Sequence, residues 1–81
     1  MQKGNKNNMR KSKLGGWLKH ARMSEGLSQI ELAKQIGLTN QTLMNIETSK
    51  HAPSIKSMKK IANYFNMTLS ELYKMLWDDE Q

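Results

Sequence analysis

Between Gln29 and Thr48, two short stretches with helical apolar spacing are separated by only three residues, Gly37, Leu38 and Thr39. No other segment limits the fold as tightly. A chain that reverses within so few residues needs a backbone position of positive φ, and Gly37 supplies it at no steric cost. Helices joined this way meet at a steep angle and approach closely. A small residue is needed at their contact, and Ala33 stands there. Apolar side chains must then face inward, and Leu32, Ile36, Leu38, Leu43 and Ile46 occupy those positions. The small residue, the glycine and the apolar positions together have the spacing of a helix-turn-helix. An αα-hairpin with no nucleic-acid role is the plain alternative.

The flanking sequence also reads as helix. A single proline, Pro53, and the lack of period-two alternation argue against a sheet. Leu14, Trp17, Leu18 and Ala21 recur at helical spacing, and Gly26 follows where a helix can end. Ser28 caps a second helix, with Glu31 three residues on to complete a capping box. Gly37 stops that helix, and Thr39 caps a third. The stretch from Ser49 to Pro53 is a loop. Ser54 opens a fourth helix carrying Met58, Ile61, Ala62 and Phe65. Asn66 and Thr68 break it, and Ser70 lies near the start of a fifth with Leu69, Leu72, Tyr73, Leu76 and Trp77. The expected fold class is all-α, a bundle of five short helices.

The 81 residues suit one small domain with a modest core. There is no cysteine, which excludes a disulfide scaffold, a thiolate zinc site and a cysteine nucleophile. No apolar run approaches the roughly 18 residues of a membrane span, and no signal peptide is expected. The formal net charge of +6 is concentrated at one end. Residues 1–27 carry Lys3, Lys6, Arg10, Lys11, Lys13, Lys19 and Arg22 against Glu25 alone, and the remainder balances to zero. Such an excess points to a polyanionic partner. The expected organisation is a flexible basic arm at 1–12, a folded domain at 13–77 and a short acidic tail at 78–81.

The stretch from Leu14 to Leu72 resembles the helix-turn-helix domain of the Cro/CI phage-repressor family, the XRE-like regulators. The resemblance lies in Leu18-Lys19-His20-Ala21-Arg22, then Leu27-Ser28-Gln29 with Leu32-Ala33, then Gly37-Leu38-Thr39. It continues through Ile46-Glu47 and Pro53-Ser54 to Lys60-Ile61-Ala62, and spans 59 of the 81 residues. It implies a compact five-helix lambda-repressor-like DNA-binding domain, acting as a homodimer on a two-fold symmetric operator. It also implies a cytoplasmic, nucleoid-associated protein of a bacterium, phage or plasmid host. Two departures stand out. The family often has glycine two residues after the position of Glu47, where this chain has Ser49. That puts the exit from the third helix, and phosphate contacts from the loop after it, in question. Trp17 fills a position that the family often gives to a polar residue, either partly exposed or covering the bundle edge.

If the third helix enters the major groove, its first residues meet base edges. Gln41 and Asn45 share one face, flanked by Asn40 and Met44, and these four are the candidate base contacts. Amides pair with adenine N6 and N7, and apolar groups meet the thymine methyl, so A·T pairs are expected at the contacted positions. Gln29, Thr42, Lys50 and His51 are the candidate phosphate contacts, Gln29 by resemblance also bracing the recognition helix. Lys13, Lys19 and Lys34 are expected to add long-range attraction only. In the family, the pair matching Arg22 and Glu47 forms an internal ion pair, which makes Arg22 a structural residue. Leu76 and Trp77 extend the apolar stripe of the fifth helix and are candidates for self-association.

No enzyme is expected. His20 and His51 are the only histidines, and no HExxH, glycine-rich phosphate loop or paired carboxylates occur in the ordered region. No metal or cofactor is expected either. The seven methionines have the spacing of core filling. The rival reading is a protein-interaction module on the same fold: an antirepressor, a corepressor or an antitoxin. With no ligand-sensing domain expected, a signal would act through a regulatory protein partner, proteolysis or concentration. A membrane role for the arm lacks an apolar face.

Overall fold

The computed structural model describes residues 13–77. They form five helices, α1 (Lys13–Ser24), α2 (Gln29–Ile36), α3 (Asn40–Glu47), α4 (Ile55–Phe65) and α5 (Leu69–Trp77), with no strand among them. The basic arm at 1–12 and the acidic tail at 78–81 lie outside the described residues.

The first four helices end in one way. Gly26, Gly37, Ser49 and Asn66 hold φ of 70°, 98°, 59° and 59°. In each case the next residue donates its N–H back across the last turn: Leu27 to Arg22, Leu38 to Ala33, Lys50 to Asn45 and Met67 to Ala62. This six-to-one closure satisfies carbonyls that a helix end leaves without donors. At three of the exits the donor is apolar, and Leu27, Leu38 and Met67 pack onto the core. At the exit from α3 the donor is Lys50, which is exposed. Ser49 therefore takes the left-handed conformation that glycine takes elsewhere in the chain.

The helix starts are also built from side chains. Ser28 accepts from the Glu31 N–H, and the Glu31 carboxylate accepts from the Ser28 N–H at 2.8 Å. These bonds hold the Glu31 carboxyl below its usual pKa, the Ser28 backbone bond most of all. Thr39 caps α3 and Ser54 caps α4. Thr68 does more than interrupt the chain after α4. Its N–H and that of Glu71 are exchanged against the two side chains at 2.9 and 3.1 Å, a second capping box that starts α5.

The core is built from all five helices. Leu14 and Leu18 of α1, Leu32, Ala33 and Ile36 of α2, and Leu43 and Ile46 of α3 are buried with Met58, Ile61, Ala62 and Leu72. The helix α1 packs on α3 and α5, while α2 packs on α3 and α4. Trp17 is half-buried and closes an edge of the bundle, its ring meeting Phe65 edge-on at 4.8 Å. The methionines divide. Met58 is fully buried, Met67 and Met75 lie against the core, and Met23 is 63% exposed, so core filling accounts for only some of them.

Candidate nucleic-acid interface

The helix α3 is short and its two sides differ sharply. Leu43 and Ile46 are buried, and hold the helix onto α1 and α2. On the opposite side Asn40 and Gln41 are exposed, and Thr42, Met44 and Asn45 are half-exposed. The Gln41 amide donates to Asn45 Oδ1 at 3.1 Å, so the two carboxamides stand together on one face. The Thr39 hydroxyl accepts from the Thr42 N–H and donates to the Thr42 hydroxyl at 2.8 Å, tying down the first turn. Before Glu47 this surface carries no charge, only amides, a hydroxyl and a thioether.

The C-terminal end of α3 is anchored by charge. Glu47 is the centre: its side chain is only 2% exposed, and Arg22 beside it is 12% exposed. Arg22 Nε donates to Glu47 Oε2 at 2.8 Å and Nη2 to Oε1 at 3.1 Å. The third guanidinium nitrogen donates to the Leu27 carbonyl at 3.0 Å. Three donors on two rigid forks leave little angular freedom. The bond to Glu47 raises the Arg22 pKa. Gln29 joins the same carboxylate, its amide donating to Oε1 at 3.0 Å. This bond turns the start of α2 toward the end of α3. It leaves Gln29 half-buried with its amide oxygen and one N–H uncommitted to Glu47.

A cleft runs beside α3, lined by Thr42, Asn45, His51, Pro53, Ser54 and Ser57 among others. His51 and Lys50 are both exposed, but only His51 lines this cleft. Of the candidate residues, Thr42, Asn45 and His51 thus meet at this cleft, Gln41 joins Asn45, and Gln29 reaches the end of α3 through Glu47. Lys13, Lys19 and Lys34 are exposed on α1 and α2. Leu76 is half-buried against the core. Trp77 closes α5, and its side chain lies outside the described residues.

Two contributors are not marked by apolar spacing. A Cβ on Gly15 would lie 2.7 Å from the Ile46 carbonyl oxygen, so α1 touches the last turn of α3 backbone to backbone. Lys60 of α4 donates to the carbonyl of Gly37 in the turn before α3. A search for periodicity registers the first as a weak helix residue and the second as surface charge. Among the described residues, no three His, Cys, Asp or Glu side chains gather as a metal-binding group. No helix among them is long and apolar enough to cross a membrane.

This arrangement defines a helix-turn-helix. Residues 18–72 match the family model HTH_3, helix-turn-helix. The chain is 34% identical over 64 residues to an uncharacterized HTH-type transcriptional regulator, MJ0272, of Methanocaldococcus jannaschii, covering 79% of this chain and 94% of that one. It is 37% identical over 60 residues to the ImmF control region 10 kDa protein of Bacillus phage phi105, covering 74% and 67% of the two. The crystal structure of Bacillus thuringiensis PlcR, in complex with the peptide PapR7 and DNA, superposes with a TM-score of 0.69 at 26% identity. That match spans 85% of this chain and 24% of PlcR. The chain belongs to the helix-turn-helix family of transcriptional regulators.

Proposed function

We propose that this regulator is a sequence-specific repressor that reads the major groove of double-stranded DNA with α3, as a homodimer on a two-fold symmetric operator. The reading rests on one observation. The buried side of α3 is fixed by Leu43, Ile46 and the Arg22–Glu47–Gln29 network, while its open side offers paired carboxamides without charge. A rigid, uncharged hydrogen-bonding surface suits base edges, because each wrong edge leaves a donor or acceptor unpaired.

In this reading Asn40, Gln41, Met44 and Asn45 contact bases. Amides favour adenine and the Met44 thioether favours the thymine methyl, so the contacted pairs are mainly A·T. Gln29, Thr42, Lys50 and His51 contact phosphates. Gln29 keeps an N–H for this purpose while its other N–H is held by Glu47. Leu76 and Trp77, at the end of α5, join two copies, and two copies roughly double the discriminating contacts. As a compact DNA reader the protein acts in the cytoplasm.

The test begins with duplexes selected from a random pool by the full chain. Replacing both Gln41 and Asn45 by alanine, with folding checked by circular dichroism, should abolish preference for the selected site. Undiminished preference rejects the reading, and so does an enriched motif made only of G·C pairs. Sizing the protein free and on the selected duplex tests the dimer.

A further inference from the structure

We propose that Lys60, on a helix that carries none of the candidate base contacts, is a positioning residue for DNA reading: its ammonium group clamps the turn from which α3 departs. The inference rests on α3 being the base-reading helix. Lys60 Nζ donates to the Gly37 carbonyl oxygen at 2.9 Å. Its Cδ lies 3.7 Å from the place a Gly37 Cβ would take, so the stem runs along the turn before the head group reaches it. Gly37 holds a φ of 98°, and its own N–H already closes α2 on the Ala33 carbonyl.

The clamp has a firm base and a short reach. Ile61 and Ala62, the next two residues of α4, are buried in the core, as is Met58. Lys60 therefore starts from a fixed point. Gly37 lies two residues before Thr39, whose hydroxyl caps α3. A cation at the end of α2 also meets the negative pole of that helix. A continuous path thus runs from the core through Lys60 and Gly37 to the first turn of α3. Only two backbone residues, Gly37 and Leu38, separate the clamp from the cap. Without the ammonium group the turn keeps only its two bonds to the Ala33 carbonyl and the packing of Leu38, and the Gly37 carbonyl loses its tie to α4. A reading helix that is slightly loose loses specific contacts before it loses non-specific ones.

The test uses the full chain with Lys60→Met, Lys60→Arg and the exposed neighbour Lys59→Met as a charge control. Binding is measured across a salt series to the selected duplex and to a scrambled duplex of the same composition. The Lys60→Met variant, folded at the assay temperature, should lose about tenfold in preference for the selected duplex, the scale of one base contact. Its salt slope should match that of Lys59→Met, and Lys60→Arg should restore the preference. An unchanged preference overturns the proposal. So does an equal loss on both duplexes with a slope reduced by about one, which marks a direct phosphate contact. If Lys60→Met does not fold, Lys60→Gln is measured in its place, and failure of both makes Lys60 a residue of the fold alone. If the Gln41→Ala/Asn45→Ala variant lowers preference and Lys60→Met does not, only this proposal fails. If neither lowers it, the reading of α3 itself fails.

Discussion

Gly15 and Ile46 meet so closely that a methyl group on the first would stand 2.7 Å from the carbonyl oxygen of the second. The carbonyl of Glu47 is 2.8 Å from the same point. Neither oxygen can yield without moving the last turn of α3. The angle of the candidate recognition helix is thus set partly by the absence of a side chain on α1. The neighbouring Gly16 faces open space, with nothing within 4 Å of the corresponding position.

Adjacent alanine substitutions should therefore act in opposite directions. Gly16→Ala gains the usual helix preference over glycine, about 0.5–1 kcal/mol. Gly15→Ala receives the same local gain but forces α1 off α3, at a typical overpacking cost of about 1–3 kcal/mol. Urea denaturation should raise the midpoint of the first variant and lower that of the second. A stabilised Gly15→Ala variant would show that the contact has slack.

Arg22 and Glu47 carry the next expectation. Glu47 is almost wholly enclosed, so removing Arg22 strands a buried carboxylate that the neutral Gln29 amide does not neutralise. Breaking a buried pair on one side costs roughly 3–5 kcal/mol, whereas replacing both ends by apolar groups is often close to neutral. Arg22→Met alone should destabilise strongly. Arg22→Met with Glu47→Leu should recover a large part of that loss in the same denaturation assay. If the double variant simply sums the two single losses, the pair is not acting as a unit.

The parts of the molecule that follow from local chemistry were legible in the sequence. Ser28 with Glu31, Thr39 and Ser54 start helices, and Leu32, Ile36, Leu43 and Ile46 form the inward side of the motif. Thr68 with Glu71 carries the same capping signature, but the preceding Asn66 dominates the reading as a break. The exit from α3 is marked as a departure by Ser49, but its geometry is not legible for another reason. Serine enters the left-handed region at a cost of roughly 1–2 kcal/mol, and the bonds from Ser49 and Lys50 to Ile46 and Asn45 offset it. Glycine was thus not required there. Gly15 and Lys60 act on carbonyls 31 and 23 residues away in sequence, and no periodicity encodes such partners. In the candidate site, the amides of α3 stand out by type and spacing. The inward bond of Gln29 to Glu47 is visible only once α2 and α3 are packed.

Tyr64 gives a test with pH as the variable. Its hydroxyl lies 2.7 Å from Gln35 Oε1 and 3.1 Å from Glu25 Oε1, linking α4 to α2 and to the end of α1. Desolvation raises its pKa, and the bond to Glu25 adds to the rise. A raised folded pKa means that the protonated phenol stabilises the fold. That contribution is complete below the unfolded value of about 10 and is lost as pH climbs through the folded one. Absorbance titration near 295 nm should show a component above the ordinary tyrosine range that disappears in Tyr64→Phe. The variant should also lose less stability than the parent between pH 9 and pH 11. A difference between the two curves centred at the ordinary tyrosine value of about 10 would contradict this.

Lys50 separates phosphate contact from general attraction. Its backbone closes α3, and its side chain is exposed where the three comparable closures have an apolar residue against the core. That position gives nothing to packing, so Lys50→Ala should leave the denaturation midpoint within about 0.5 kcal/mol of the parent. On DNA it should weaken binding to the selected and scrambled duplexes by similar factors and lower the salt slope by about one. Lys34→Ala removes the same charge from an exposed position of α2 that is not among the candidate contacts, and should leave that slope nearly unchanged. Equal slopes for the two variants would mean that Lys50 acts only through net charge, and would remove it from the interface.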